Sequence, residues 1–151
     1  MTANQEFHDR TIAYMLLRVF LGVNIASHGV SRLLAASKFE NALAAQFAHS
    51  FLPHSAVVAF ALALPWAETL IGSLILAGLW TRLALIGGAL LMIVLTLGSC
   101  LIQDWQVAGI QLIYQIAYFF LLFLLNYNHW SVDALRRHKF RSDQWRAMRA
   151  A

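Results

Sequence analysis

Residues 83–102 read LALIGGALLMIVLTLGSCLI, twenty positions without one charged side chain. At about 1.5 Å per residue, a helix of this length matches the roughly 30 Å hydrocarbon core of a bilayer. The whole chain has the same bias. Its 151 residues are 60% hydrophobic and 12% charged, against roughly 45–50% and about 25% in a soluble domain. A chain this small keeps too much surface to hide that excess from water. Disorder is excluded as well, because it needs low hydrophobicity. Lipid is the solvent that the composition requires.

Three further apolar runs flank this one, at about 11–34, 55–79 and 107–125. Trp80-Thr81-Arg82 and Gln103-Asp104-Trp105-Gln106 separate the later runs, and links this short force antiparallel neighbours. The expected fold class is therefore an all-α membrane protein, an antiparallel four-transmembrane-helix bundle. Residues 1–10 read as an N-terminal segment, 11–127 as the four-helix domain and 128–151 as a basic tail. Trp80, Trp105 and Trp130 fall at span ends, where amphipathic rings favour the headgroup layer. In the one long connection, Phe39, Leu43, Phe47 and Phe51 recur every fourth residue among Lys38, Glu40, Asn41 and His49. That pattern predicts an interfacial amphipathic helix between helices 1 and 2, either covering apolar surface or acting as a lid over a pocket. The single cysteine, Cys100, allows no intrachain disulfide. The opening MTANQEFHDR has no basic n-region, so no cleaved signal peptide is expected.

Lys and Arg set the orientation. Four spans put both termini on one side. That side holds Arg10, Arg82, Arg136, Arg137, Lys139, Arg141, Arg146 and Arg149, and the other holds Arg32 and Lys38. Both termini are expected to be cytoplasmic. The net charge of +4 comes mostly from the tail, which next to a span reads as lipid-facing and not as a nucleic-acid surface.

Three ionisable residues interrupt the spans: Arg18, His28 and Glu68. Such groups are costly in a bilayer and default to a functional hypothesis. Arg18 and Glu68 carry the opposite charges nearest mid-membrane. Either they pair, or Arg18 snorkels to its own interface. His28 shares one face with Asn24, Ser31 and Arg32 at helical spacing. Ser99, Cys100 and Gln103 reach the same outer end from span three. Gln111, Tyr114, Gln115 and Tyr118 descend from that end on span four. Polar groups of this kind turn inward, either as interhelical glue or as the lining of a pocket. There is no C-x-x-C spacing and no phosphate-binding glycine loop. No intrinsic metal, haem or flavin site is expected.

The motifs resemble those of the DoxX family. Leu17-Arg18-Val19-Phe20-Leu21-Gly22 with Ser27-His28-Gly29-Val30 and Arg32-Leu33 is similar to that family's first span. Glu68-Thr69-Leu70-Ile71-Gly72 and Ala77-Gly78-Leu79-Trp80-Thr81-Arg82 are similar to its second. Ser131-Val132-Asp133-Ala134-Leu135 resembles a short motif that ends many members. The resemblance covers about residues 11–135 and implies a four-helix membrane bundle. The family takes its name from small subunits of terminal quinol oxidase and thiosulfate:quinone oxidoreductase systems, and some members are linked to oxidative-stress assemblies. It marks Arg18, His28, Glu68 and Arg82 as motif residues.

With that resemblance, the expected function is a membrane subunit in quinone-linked redox chemistry, thiosulfate:quinone oxidoreductase-like, in a bacterial inner membrane. His28, Glu68 and Arg18 are the candidate catalytic residues. Asn24, Arg32, Cys100, Gln111, Tyr114 and Gln115 are the candidate quinone-binding residues, with His28 and the α-helical amides and tyrosines as donors to a quinone oxygen. Quinone is the expected cofactor. Partners would be membrane lipids and further subunits, copies of itself or other chains. The rival expectation is a non-catalytic scaffold or assembly subunit that docks through Phe119, Phe120, Phe123 and the basic tail.

Overall fold

The computed structural model describes residues 2–140. Arg141, Arg146 and Arg149, which belong to the expected basic tail, lie outside the described residues. The chain forms α1 (Ala3–Leu34), α2 (Ala36–Gln46), α3 (His54–Ala77), α4 (Thr81–Leu101) and α5 (Trp105–Phe123), then a 3-10 turn at Leu125–Tyr127. Residues 132–140 are helical again. No strand occurs among the described residues. The four helices α1, α3, α4 and α5 are long and apolar enough to cross a membrane.

Two elements differ from the sequence reading. α1 starts at Ala3, not near Thr11, because Thr2 and Gln5 form a capping box. The Gln5 N–H donates to Thr2 Oγ1 and the Thr2 N–H to Gln5 Oε1, which satisfies donors that a helix start leaves bare. The first turns of α1 then dock on the segment after α5. The Phe7 ring lies 5.6 Å from Tyr127 and 5.3 Å from His129, and Arg10 donates to Tyr127 Oη at 3.0 Å. The amphipathic helix α2 is in turn shorter than its pattern. It stops at Gln46, and Phe51 lies beyond it, exposed.

The helices close a ring in the order α1, α3, α4, α5. α1 packs most tightly on α3, α5 packs on α4, and α1 meets α5 only lightly. The tight seam is made by small residues. A Cβ at Gly22 would meet the Leu76 backbone, and one at Gly72 would meet the backbone of Ala26. Close backbone approach of this kind is how helices associate in lipid, where no hydrophobic force separates them from the tails. The interior is filled by Tyr14, Leu21, Ile25, Ile75, Leu85, Met92, Tyr118 and Leu121.

At the end carrying the termini, α3 turns into α4 through Gly78 (φ 66) and Trp80 (φ 47), both left-handed. Trp80 supplies no side-chain cap for α4. The cap comes from far along the chain. Asp133 accepts from the Trp80 N–H at 2.9 Å, the Thr81 N–H at 2.8 Å and the Thr81 hydroxyl at 2.8 Å. The Asp133 N–H donates back to Gly78 O at 3.0 Å, and Asn128 Nδ2 donates to Thr81 Oγ1 at 3.0 Å. Burial alone would raise the Asp133 pKa. The hydrogen bonds from Thr81 and Trp80 outweigh it and hold the carboxyl below its ordinary value. Gly-Leu-Trp-Thr-Arg and Ser-Val-Asp are thus two halves of one cap.

Candidate functional site

The other end of the ring is open inside. A cavity of about 140 Å³ lies between all four spanning helices, lined by Ile25, His28 and Arg32 of α1, Glu68 of α3, Met92 and Leu95 of α4, and Gln111 and Tyr114 of α5. A second cavity of about 270 Å³ shares Arg32, Leu95, Val107 and Gln111 with it and is roofed by Phe39, Leu43, Gln46 and Phe47 of the α2 segment. Of the two roles open to α2, the geometry is that of a lid.

One ion pair crosses the cavity. The Arg32 guanidinium donates to Glu68 Oε1 and also lies 4.9 Å from the centre of the Phe39 ring. Glu68 is 3% exposed, and the partner offsets a desolvation penalty that an unpaired carboxylate would suffer in full. Arg18 takes no part. It is also 3% exposed, but its guanidinium donates to Ile75 O at 2.7 Å, Leu76 O at 2.8 Å and Trp130 O at 2.8 Å. The first two carbonyls lie at the C-terminus of α3, where a helix leaves acceptors bare and favours a cation. The choice between pairing and snorkelling thus resolves into neither. Arg18 clamps α3 to the segment after α5 and, unlike the other two candidate catalytic residues, His28 and Glu68, lines neither cavity.

Two of the donors expected at the site, Tyr114 and Gln111, are already committed. Tyr114 Oη donates to Asn24 Oδ1 at 2.9 Å, and Gln111 Nε2 donates to Ser99 Oγ at 3.1 Å. Unpaired atoms remain: Glu68 Oε2 and Gln111 Oε1 are buried and have no partner among the described residues. Both are acceptors. His28 stands at the rim, exposed, between this cavity and a shallow groove along α1 lined by Asn24, Ser27 and Ser31.

The remaining expected residues divide. Cys100 is a half-buried free thiol and lines neither cavity. Gln115 lies in a separate groove between α4 and α5 with Met92, Thr96 and Leu112. Tyr118 is fully buried against Gly88. Phe39 and Gln46 were not foreseen as site residues. Their signal was the apolar face of α2, which points wherever a lid must close.

Four apolar spanning helices around a polar, partly unpaired interior define a multi-pass α-helical membrane protein with an internal cavity. The chain belongs to the DoxX family, whose family model matches residues 13–100. That stretch runs from α1 to the end of α4 and holds Arg18, His28, Arg32, Glu68 and Arg82. Asp133 lies beyond it, yet it caps a helix within it. The family is linked to quinone-related oxidoreductase chemistry. No curated protein and no solved structure matches the chain.

Proposed function

We propose that the cavity binds the headgroup of a membrane quinone in its reduced, hydroxyl-bearing form, and that the protein is a membrane subunit in quinone-linked redox chemistry. The observation that carries this reading is the pair of buried, unpartnered acceptors, Glu68 Oε2 and Gln111 Oε1. A buried acceptor without a donor costs about 1–3 kcal/mol, so a ligand that brings hydroxyl groups is favoured over one that brings only carbonyls. Glu68 and Gln111 accept from the quinol, and the free guanidinium nitrogens of Arg32 face its oxygens. When the quinol is oxidised its protons leave with its electrons. Glu68 and the His28 imidazole at the rim are the groups placed to take them. The two electrons would go to a partner subunit that carries a haem- or flavin-type acceptor.

The reading includes an orientation. Arg10, Arg82, Arg136, Arg137 and Lys139 lie toward the termini and Arg32 and Lys38 toward the cavity end, so the termini are cytoplasmic and the cavity lies in the outer half of a bacterial inner membrane.

The test is binding of a decyl-tailed benzoquinol to the purified full chain in lipid nanodiscs. Glu68→Gln and His28→Ala should each weaken it, Glu68→Gln by about tenfold or more, the worth of a hydrogen bond to a charged group. Unchanged binding in both variants overturns the reading.

A further inference from the structure

Beside the lidded cavity runs a third space of about 260 Å³ with a different lining: Leu52, Ala56, Leu97 and Leu101, together with Leu43, Phe47, Phe60, Val94 and Gly98, which it shares with the lidded cavity. No charged or amide side chain lines it. The two spaces meet at Gly98. A Cβ there would touch only the Phe47 ring, at 3.4 Å. Gly98 sits inside α4, where glycine costs about 1 kcal/mol relative to alanine. No backbone crowds it, unlike Gly22 and Gly72, so close packing does not account for it. Gly87 and Gly109 are as open, but only Gly98 of the three lies on the wall that the two spaces share.

We infer that this groove is the channel for the apolar tail of the ligand, so that an isoprenoid or alkyl chain leaves the headgroup cavity under α2, between α3 and α4, and not through the gap between α1 and α5. The inference rests on the quinol reading of the cavity and adds the route of the tail. The tail passes Gly98 and Phe47 and runs along Val94, Leu97 and Phe60 into the lipid. A tail gains no hydrophobic free energy by moving from lipid to protein, so the groove acts by packing. Its task is to orient the headgroup toward Glu68 and Gln111. α2 is then a lid over one molecule, with Phe39 and Gln46 above the head and Leu43 and Phe47 above the tail.

The experiment uses the full chain in nanodiscs with a benzoquinol whose alkyl tail carries a diazirine near the ring. Cross-linked residues are mapped by mass spectrometry, with and without excess tail-less benzoquinol. Labelling of Phe47, Phe60, Val94 or Leu97, competed by the tail-less compound, is the expected result. Ala56→Phe, which fills the groove at a position that lines neither other cavity, should abolish that labelling while the tail-less quinol still binds. Competed labelling confined to Ile110, Tyr114 or other residues along the α1–α5 gap overturns the tail route and leaves the headgroup reading standing. Labelling that the tail-less quinol never competes overturns the headgroup reading, and the tail route with it.

Discussion

At the end carrying the termini, Arg18, Thr81, Asn128 and Asp133 are bound to one another or to backbone carbonyls and amides by short hydrogen bonds. At the other end, Glu68 has one oxygen paired and one bare, Gln111 likewise, and the His28 imidazole stands at an open rim. The first end is not free of bare atoms. Tyr14 Oη, Arg18 Nε and Asn128 Oδ1 lack partners among the described residues, but the last two are remainders on side chains that already hold the structure, and Tyr14 packs in the core. Both ends contain buried charge, and burial alone does not separate them. What separates them is whether the charge is used up. A group whose partners are all protein stabilises the fold. Glu68 and Gln111 line a cavity and each keeps an acceptor that no described protein group fills.

The comparison breaks most visibly at Arg18. Arg18→Ala removes the donors of two carbonyls at the end of α3 and of the Trp130 carbonyl after α5, so we expect a loss of about 3–5 kcal/mol, the range for leaving buried charge-assisted partners unpaired. Unfolding of the detergent-solubilised chain measures it. A variant as stable as the parent would show that the clamp is ornamental. The folded fraction should bind quinol as the parent does, because Arg18 does not line the cavity.

A smaller loss is expected at Gly78. Its φ of 66 is left-handed, and a Cβ there would meet Ser131 Cβ at 2.5 Å and Arg18 Nη1 at 2.7 Å. Gly78→Ala should cost about 2 kcal/mol from backbone strain alone, and it should unseat both halves of the cap. A double-mutant cycle with Arg18→Ala would then show coupling.

Asp133 sharpens the comparison through pH. Its folded pKa is held low, so its contribution is fully present above the unfolded value near 3.9 and is lost as pH falls from there through the depressed folded value. Asp133→Asn should lower stability at neutral pH by about 1–2 kcal/mol, as for a lost helix cap. It should also remove that part of the acid dependence below about pH 4. A parent and variant with parallel stability-against-pH curves would exclude Asp133 as the cap.

The spans, their order and the antiparallel path were legible because a bilayer imposes length and hydropathy on each helix separately. The partners of the charges were not. Arg32 is an interface cation by its sequence position, and depth counting assigns Glu68 to mid-membrane. Only the folded seam shows that the long Arg32 stem spans the difference. Likewise Ser-Val-Asp and Gly-Leu-Trp-Thr-Arg each stood out as motifs, but a contact across fifty-two residues is invisible in one chain. The early start of α1 was written in Thr2 and Gln5, a local capping signal hidden by attention to apolar runs.

The smallest expected effect lies at the open end, and its size is what makes it informative. Gln111→Leu removes a bare buried acceptor along with a donor to Ser99. Replacing an unsatisfied polar group by an apolar one of similar shape is nearly neutral or stabilising, and the Ser99 hydroxyl can turn back to a carbonyl of its own helix. Stability should therefore change by no more than about 0.5 kcal/mol, as at sites without a structural role, while quinol affinity falls. Unfolding and binding measured on one preparation separate the two. If Gln111→Leu destabilises the chain as Arg18→Ala does, its lone pair serves the fold, and the two ends do not differ in kind.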